Sequence, residues 1–137
     1  MDSFGVFHVS ASALAAQRQR MNVIASNLAN AQSTRSTEGG PYRRQDAVFT
    51  TENLGGGQAG LEGVKVTAIV RDESPFKMIY DPGHPDANAD GFLAMPNVNV
   101  IEEMVNMMMA SRAYEASVSA FNMSKAMFAK TLEMGKV

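Results

Sequence analysis

The sequence predicts a mainly α fold with a small β region: long N- and C-terminal helices paired as a coiled coil, with short strands between them. Three observations predict it. Both ends of the 137-residue chain lack proline inside long segments and repeat large side chains every seven positions. The middle holds the prolines and most of the glycines. Long stretches of both ends carry no charge: residues 21–34, 104–111 and 116–124 contain no Asp, Glu, Lys or Arg. An isolated surface helix has one apolar stripe and a charged opposite face. Here the opposite face is Ala, Ser, Asn and Gln, which suits contact with protein on every side. The pattern points to a subunit whose terminal helices are buried in an assembly.

The first helix is expected over residues 4–32. Phe7, Leu14, Met21 and Leu28 lie seven apart, and Ile24 and Ala31 give part of a second row that Ser10 and Gln17 interrupt. The run Ser33-Thr34-Arg35-Ser36-Thr37-Glu38-Gly39-Gly40 is a loop. Pro41-Tyr42 opens an extended stretch whose apolar part is Ala47, Val48 and Phe49. Gly55, Gly56 and Gly57 with Gly60 and Gly63 make a flexible connection. Val64 to Val70 is β-branched and partly alternating, hence a strand, broken by Ser74-Pro75. Phe76 to Tyr80 resumes as a second strand, expected antiparallel to the first. Asp81-Pro82-Gly83-His84-Pro85 is a turn cluster. Phe92 to Met95 is a further extended piece ended by Pro96.

The last helix is expected over residues 98–134, roughly 55 Å long at 1.5 Å per residue. Val100, Met107, Tyr114, Phe121 and Phe128 repeat every seven, with Met104, Val118 and Leu132 in the adjacent row. Gly135 is a C-terminal stop, and Lys130 and Lys136 suit the negative helix end. The two helices are expected to pair antiparallel. The chain therefore divides into residues 1–34 and 98–137, the helices of an inner coiled coil, and residues 35–97, a loop and small β-containing middle.

Composition excludes several functions. The formal net charge is −2, so no basic field for nucleic acid exists. With no cysteine, disulfide frameworks, thiolate nucleophiles and Cys-based zinc sites are excluded. The first residues lack the basic and continuous apolar regions of a secretory signal. No run approaches the ~18 apolar residues of a membrane span. The expected chain is soluble, without direct membrane insertion. His8 and His84 are the only histidines, and no Ser/His/Asp set, phosphate loop or HExxH string occurs, so no enzyme is expected. The cluster Met104, Met107, Met108 and Met109 reads as adaptable packing, not metal binding.

One string resembles a metal site. Asp86-Ala87-Asn88-Ala89-Asp90-Gly91 matches the first half of an EF-hand loop. The twelfth position, which should be a bidentate Glu, is Asn97, and prolines stand where flanking helices should be. A small calcium-binding module on this loop is the alternative reading. Asx-type turns are the simpler one.

Other strings carry a family resemblance. Asn27 and Asn30 match an N-x-x-N-x-x-T signature at the end of the first helix of bacterial flagellar axial rod and hook proteins, with Ser33 at the Thr position and Thr34 next to it. Gly63-Val64-Lys65-Val66, Tyr80-Asp81-Pro82-Gly83-His84-Pro85, Asp90-Gly91-Phe92, Met95-Pro96-Asn97-Val98, Glu103-Met104-Val105-Asn106 and Ala110-Ser111-Arg112-Ala113-Tyr114 follow in order and are similar to proximal-rod members of that family. The resemblance implies a non-enzymatic structural subunit of the proximal rod, without cofactors. It implies polymerisation into a helical tube that transmits torque and encloses the export channel. It implies export without a cleaved signal, a rod crossing the periplasm, and as partners the other proximal and distal rod subunits, the export-gate adaptor FliE and copies of the chain itself. Phe7, Leu14, Met21, Leu28, Met107, Tyr114, Phe121 and Phe128 are expected to hold the helix pair. Asn27, Asn30, Ser33 and Thr34 are expected to make hydrogen bonds at the helix end, within or between subunits.

Overall fold

A computed structural model describes residues 3–55 and 60–135. Two long helices, α1 (Ser3–Ala29) and α2 (Val100–Met134), enclose in sequence four strands: β1 (Gln45–Asn53), β2 (Glu62–Arg71), β3 (Lys77–Tyr80) and β4 (Phe92–Met95). The fold is mainly helical with two small two-stranded antiparallel sheets, as the periodicities predict. The helices run antiparallel: Phe7 near the start of α1 meets Phe121 and Phe128 near the end of α2, and Asn27 meets Glu103 at the opposite end. At 35 residues α2 is about 52 Å long.

Helix boundaries follow local hydrogen bonding. α1 stops at Ala29, short of the expected Gln32, because Ala31 N–H bonds to Leu28 in a tightened turn and Asn30 donates its side-chain amide to the Ser26 carbonyl. α2 starts at Val100 because Asn99 is its N-cap and accepts from Ile101 N–H at 3.1 Å. Gly135 ends it with a right-handed backbone, its N–H bonding to the Thr131 carbonyl. Lys130 reaches Glu133; Lys136 lies outside the described residues, as do Gly56 and Gly57.

The strand pairing corrects one expectation. The second strand does not pair with Val64–Val70. β2 pairs with β1, from Gln45 opposite Arg71 to Asn53 opposite Glu62, with an irregularity between Val48 and Phe49. β3 pairs instead with β4, Lys77 opposite Met95 and Tyr80 opposite Phe92. The cause lies at the break. The Asp72 and Ser74 carbonyls both accept from Arg43 and from Asn97, which pins this segment away from β2. The turn of residues 81–91 then returns a nearby partner, closed by Asp81 N–H on the Gly91 carbonyl. Gly91 has φ +82°, and a Cβ there would sit 2.9 Å from the Tyr80 ring, so this turn needs glycine twice over.

α1 is the central element, packed by α2 on one side and by the β1–β2 hairpin on another. The hairpin backbone lies close against α1 and Leu54 at Gly63, where a Cβ would sit 2.6 Å from the Leu54 side chain and 2.7 Å from Ser12 Oγ. Ser12 Oγ accepts from Val64 N–H across this contact. The buried apolar side chains among the described residues are Ala16, Val23, Ile24, Leu93 and Ala110. That core is thin for a chain of this length. Many large apolar side chains stay exposed, Ile101 at 74% and Met127 at 69% among them.

The row of α2 beside the aromatic stripe also differs from expectation. Met104 and Leu132 face out, each 56% exposed. Glu103, Ala110, Ser117 and Ser124, again seven apart, are the more covered row. Small residues here let the helices approach, so bulk at these positions would separate them. In α1, Gln17 interrupts the second row as expected, and its Oε1 is buried without a hydrogen-bond partner.

Candidate assembly site

The residues expected to hold the helix pair all lie half-buried. Phe7, Phe121 and Phe128 meet directly. The Phe7 ring stands edge-on to Phe121 at 5.3 Å and to Phe128 at 6.1 Å, and Phe4 adds a tilted contact to Phe128 at 6.0 Å. Such pairs contribute about 0.5–1.5 kcal/mol each beyond the area they bury. Leu14 and Tyr114 line one shallow groove between the helices, with Ala11, Ala15 and Arg18. The same offset sets Met21 level with Met107, and Leu28 level with the start of α2.

The signature residues are spread over several contacts. Asn27 is fully buried at 0% exposure, and its amide meets all of its hydrogen-bonding capacity. Nδ2 donates to the Gln45 carbonyl at 2.8 Å and to Glu103 Oε2 at 3.0 Å. Oδ1 accepts from Tyr42 O–H and from Gln45 N–H, both at 3.0 Å. It thus joins α1, β1 and α2. Asn30 and Ser33 make local bonds at the helix end, with Ser33 Oγ donating to Asn30 Oδ1 at 3.1 Å. Thr34 reaches further, donating to Asp86 Oδ2 at 2.8 Å.

Sequence reasoning missed the partner of Asn27. Glu103 is 1% exposed and accepts from Arg44 Nε at 2.7 Å as well as from Asn27. Asn106 adds a longer contact. Arg44 also lies 3.5 Å from Asp46 and 3.7 Å from Asp72. Burial works against the charge on Arg44, but Glu103 and Asp46 outweigh it and hold its pKa above the usual value. Burial, then the Glu103 charge, raises the Tyr42 phenol. Asn97 Oδ1 accepts from Arg44 N–H at 2.8 Å, which ties the segment before α2 into the same cluster. The available signal was the adjacent acids Glu102 and Glu103, which open a helix stretch that carries no charge from Met104 to Ser111.

The calcium-like loop is committed to closing itself. Asp86 accepts from Thr34 and Arg35, and Asn88 Oδ1 accepts from the Asp90 and Phe92 N–H groups. The Asn88 bonds are the Asx-type closures of the simpler reading, whereas Asp86 ties the loop to residues 34 and 35. The Thr34 hydroxyl first, then Arg35, hold the Asp86 carboxyl below the usual carboxylate range. A depressed folded value means the clamp contributes above the unfolded pKa, about 3.9, and is lost as pH falls through the folded one. Amide resonances of Thr34 and Arg35 are expected to shift together below about pH 4, and Asp86→Asn should abolish that step. Unshifted amides down to acid unfolding would contradict the clamp.

The outer faces complete the site. Ile101, Met104, Val105, Met108 and Met109 are exposed near the start of α2, and Met123, Met127, Leu132 and Met134 near its end. On α1, Ala25 and Ala29 are exposed in a stretch without charge. Among the described residues no helix is long and apolar enough to cross a membrane.

Comparison with known proteins agrees with the geometry. Residues 7–35, which include α1 beyond its first turn and the signature loop, match the family described as "Flagella basal body rod protein". Residues 89–134, which include β4 and α2, match "Flagellar basal body rod FlgEFG protein C-terminal". The chain is 46% identical over 136 residues to "Flagellar basal-body rod protein FlgC" of Salmonella typhimurium, covering 99% of this chain and 100% of the relative. The chain belongs to the flagellar basal-body rod protein FlgC family. The Bacillus subtilis relative of the same name is 44% identical over 151 residues, with 99% and 100% covered. That of Borreliella burgdorferi is 41% identical over 149 residues, with 96% and 97% covered. Family membership makes the chain a structural subunit of the flagellar basal-body rod and implies assembly with other rod components.

Proposed function

We propose that the chain is a non-enzymatic subunit of the proximal rod that polymerises into a helical tube, encloses the export channel and transmits torque. Residues 1–34 and 98–137 act as the inner coiled-coil domain, and residues 35–97 face outward. Phe7, Leu14, Met21, Leu28, Met107, Tyr114, Phe121 and Phe128 hold the pair together for packing. Asn27, Asn30, Ser33 and Thr34 fix the end of α1. Neighbours are copies of the chain, other proximal and distal rod subunits, and the export-gate adaptor FliE. The chain reaches the rod through the flagellar type III apparatus and works where the rod crosses the periplasm.

The observation that carries this reading is the pairing of family identity with two helices whose outer faces remain apolar or small. A lone soluble protein would cover or charge those faces. A stiff shaft needs helices buried on several sides. The test is a chromosomal deletion complemented with an epitope-tagged chain. The deletion is expected to abolish swimming, and the tag to be recovered in isolated basal bodies at the base of the rod by immuno-electron microscopy. Tag confined to the hook or filament, or swimming without the chain, would contradict the proposal.

A further inference from the structure

The aromatic and aliphatic stripe of each helix cannot choose its own register. Phe7, Leu14, Met21 and Leu28 repeat every seven residues, and so do Met107, Tyr114, Phe121 and Phe128. Sliding one helix by a heptad, about 10 Å, sets apolar residues on apolar residues again. The Phe7 ring already touches both Phe121 and Phe128, one heptad apart. The covered row of Ala110, Ser117 and Ser124 is small throughout and resists such a slide weakly.

The polar cluster does not repeat. Seven residues from Asn27 stand Arg20 and Thr34, and seven from Glu103 stand Pro96 and Ala110. A slide one way sets Asn27 against Ala110 and carries Glu103 past the end of α1. A slide the other way carries Asn27 to Pro96, outside α2, and leaves Arg20 beside Glu103. Only the observed pairing completes the Asn27 amide and gives the Glu103 carboxylate Asn27 and Arg44 together. A slide costs unpaired buried polar groups, whereas the stripes are nearly indifferent.

We propose that Asn27, Glu103 and Arg44 form a register lock, which selects one of several heptad-equivalent pairings of α1 on α2. The lock fixes which parts of the two outer faces stand side by side, and therefore the surface shown to neighbouring subunits. Through Gln45 and Tyr42 it also fixes the β1–β2 hairpin relative to that surface. Such positioning is the best-attested use of a buried polar group in a helix seam.

The chain has no cysteine, so paired cysteines report the register cleanly. Leu14→Cys with Tyr114→Cys reads the observed pairing, because both residues line one groove. Leu14→Cys with Phe121→Cys reads a slide of one heptad. Each pair is placed in the full chain, oxidised mildly in dilute solution and in isolated basal bodies, and the intramolecular cross-link is measured. With the lock intact, the first cross-link is expected to exceed the second at least about tenfold, the ratio for roughly 1.4 kcal/mol. With Asn27→Leu, Arg44→Met and Glu103→Met together, the two are expected to become comparable while helicity is retained. A helical triple variant that keeps only the first cross-link would overturn the proposal. If the triple variant loses helicity, the contrast between Glu103→Gln and Glu103→Leu decides. Gln keeps an acceptor for Asn27 and Arg44 and should keep the first cross-link, whereas Leu should admit the second. Equal patterns for Gln and Leu would likewise overturn it.

Discussion

Phe121→Asp is expected to remove the chain from basal bodies while leaving its export intact. Phe121 lies in the α2 stripe, toward the end of the helix, half-buried, with its ring edge-on to Phe7 at 5.3 Å. A carboxylate there loses the aromatic pair and replaces it with a charge facing the Phe7 ring. Burying an unpaired charge costs several kcal/mol or forces its protonation. That loss is large against the 5–15 kcal/mol that holds a typical domain folded. Export of an unfolded chain does not use the seam. The measurements are swimming, the amount of variant in isolated basal bodies, and the amount in the medium. Glu102→Ala, in the first turn of α2 and exposed, is the control and should assemble normally. Normal rods containing Phe121→Asp would contradict the assigned packing face.

Arg44→Leu is expected to be the second most damaging change, although it lies outside the helices. Glu103 is 1% exposed, and Arg44 is the cation that meets it. Removing one partner of a buried pair leaves an uncompensated charge, at a cost of about 3 kcal/mol or more. With a urea slope of about 1.5–2 kcal/mol/M, the unfolding midpoint should fall by about 1.5–2 M. By contrast, Lys65→Leu breaks only an exposed pair with Glu52 and should move the midpoint little. Equal small effects would mean that Glu103 is compensated without Arg44.

What the sequence made legible follows from how local each signal is. The heptads of Phe7 to Leu28 and Met107 to Phe128 each lie within one helix, so periodicity alone found both stripes and their antiparallel partner. Turn residues found the 81–91 loop for the same reason. Strand partners were less readable. The expected partner of β2 was the next strand along the chain, and the observed choice goes with Arg43 and Asn97 holding the Asp72 and Ser74 carbonyls across long sequence gaps. The lock was hidden in the same way. Asn27, Arg44 and Glu103 are far apart in the chain, and each alone reads as a surface or helix-end residue. The signature points to Asn27, but Glu102 and Glu103 stand side by side at the start of α2, and composition alone does not separate the buried acid from the exposed one. In the row of Met104, Val118 and Leu132, Val118 is half-buried while Met104 and Leu132 are exposed, so bulk alone does not mark the covered face. Ala110, Ser117 and Ser124 are covered because they are small.

In the assembled rod the outer faces of the helices are expected to be covered by neighbouring subunits. Thiol accessibility measures that directly in a chain without cysteine. Met108→Cys and Met127→Cys place a thiol on each exposed cluster of α2, and Glu73→Cys places one on the middle region. In the free chain all three should react readily with a maleimide. In isolated basal bodies the cysteines at 108 and 127 should be protected while the one at 73 still reacts. Equal labelling of positions 108 and 127 in both states would contradict burial of α2 between subunits.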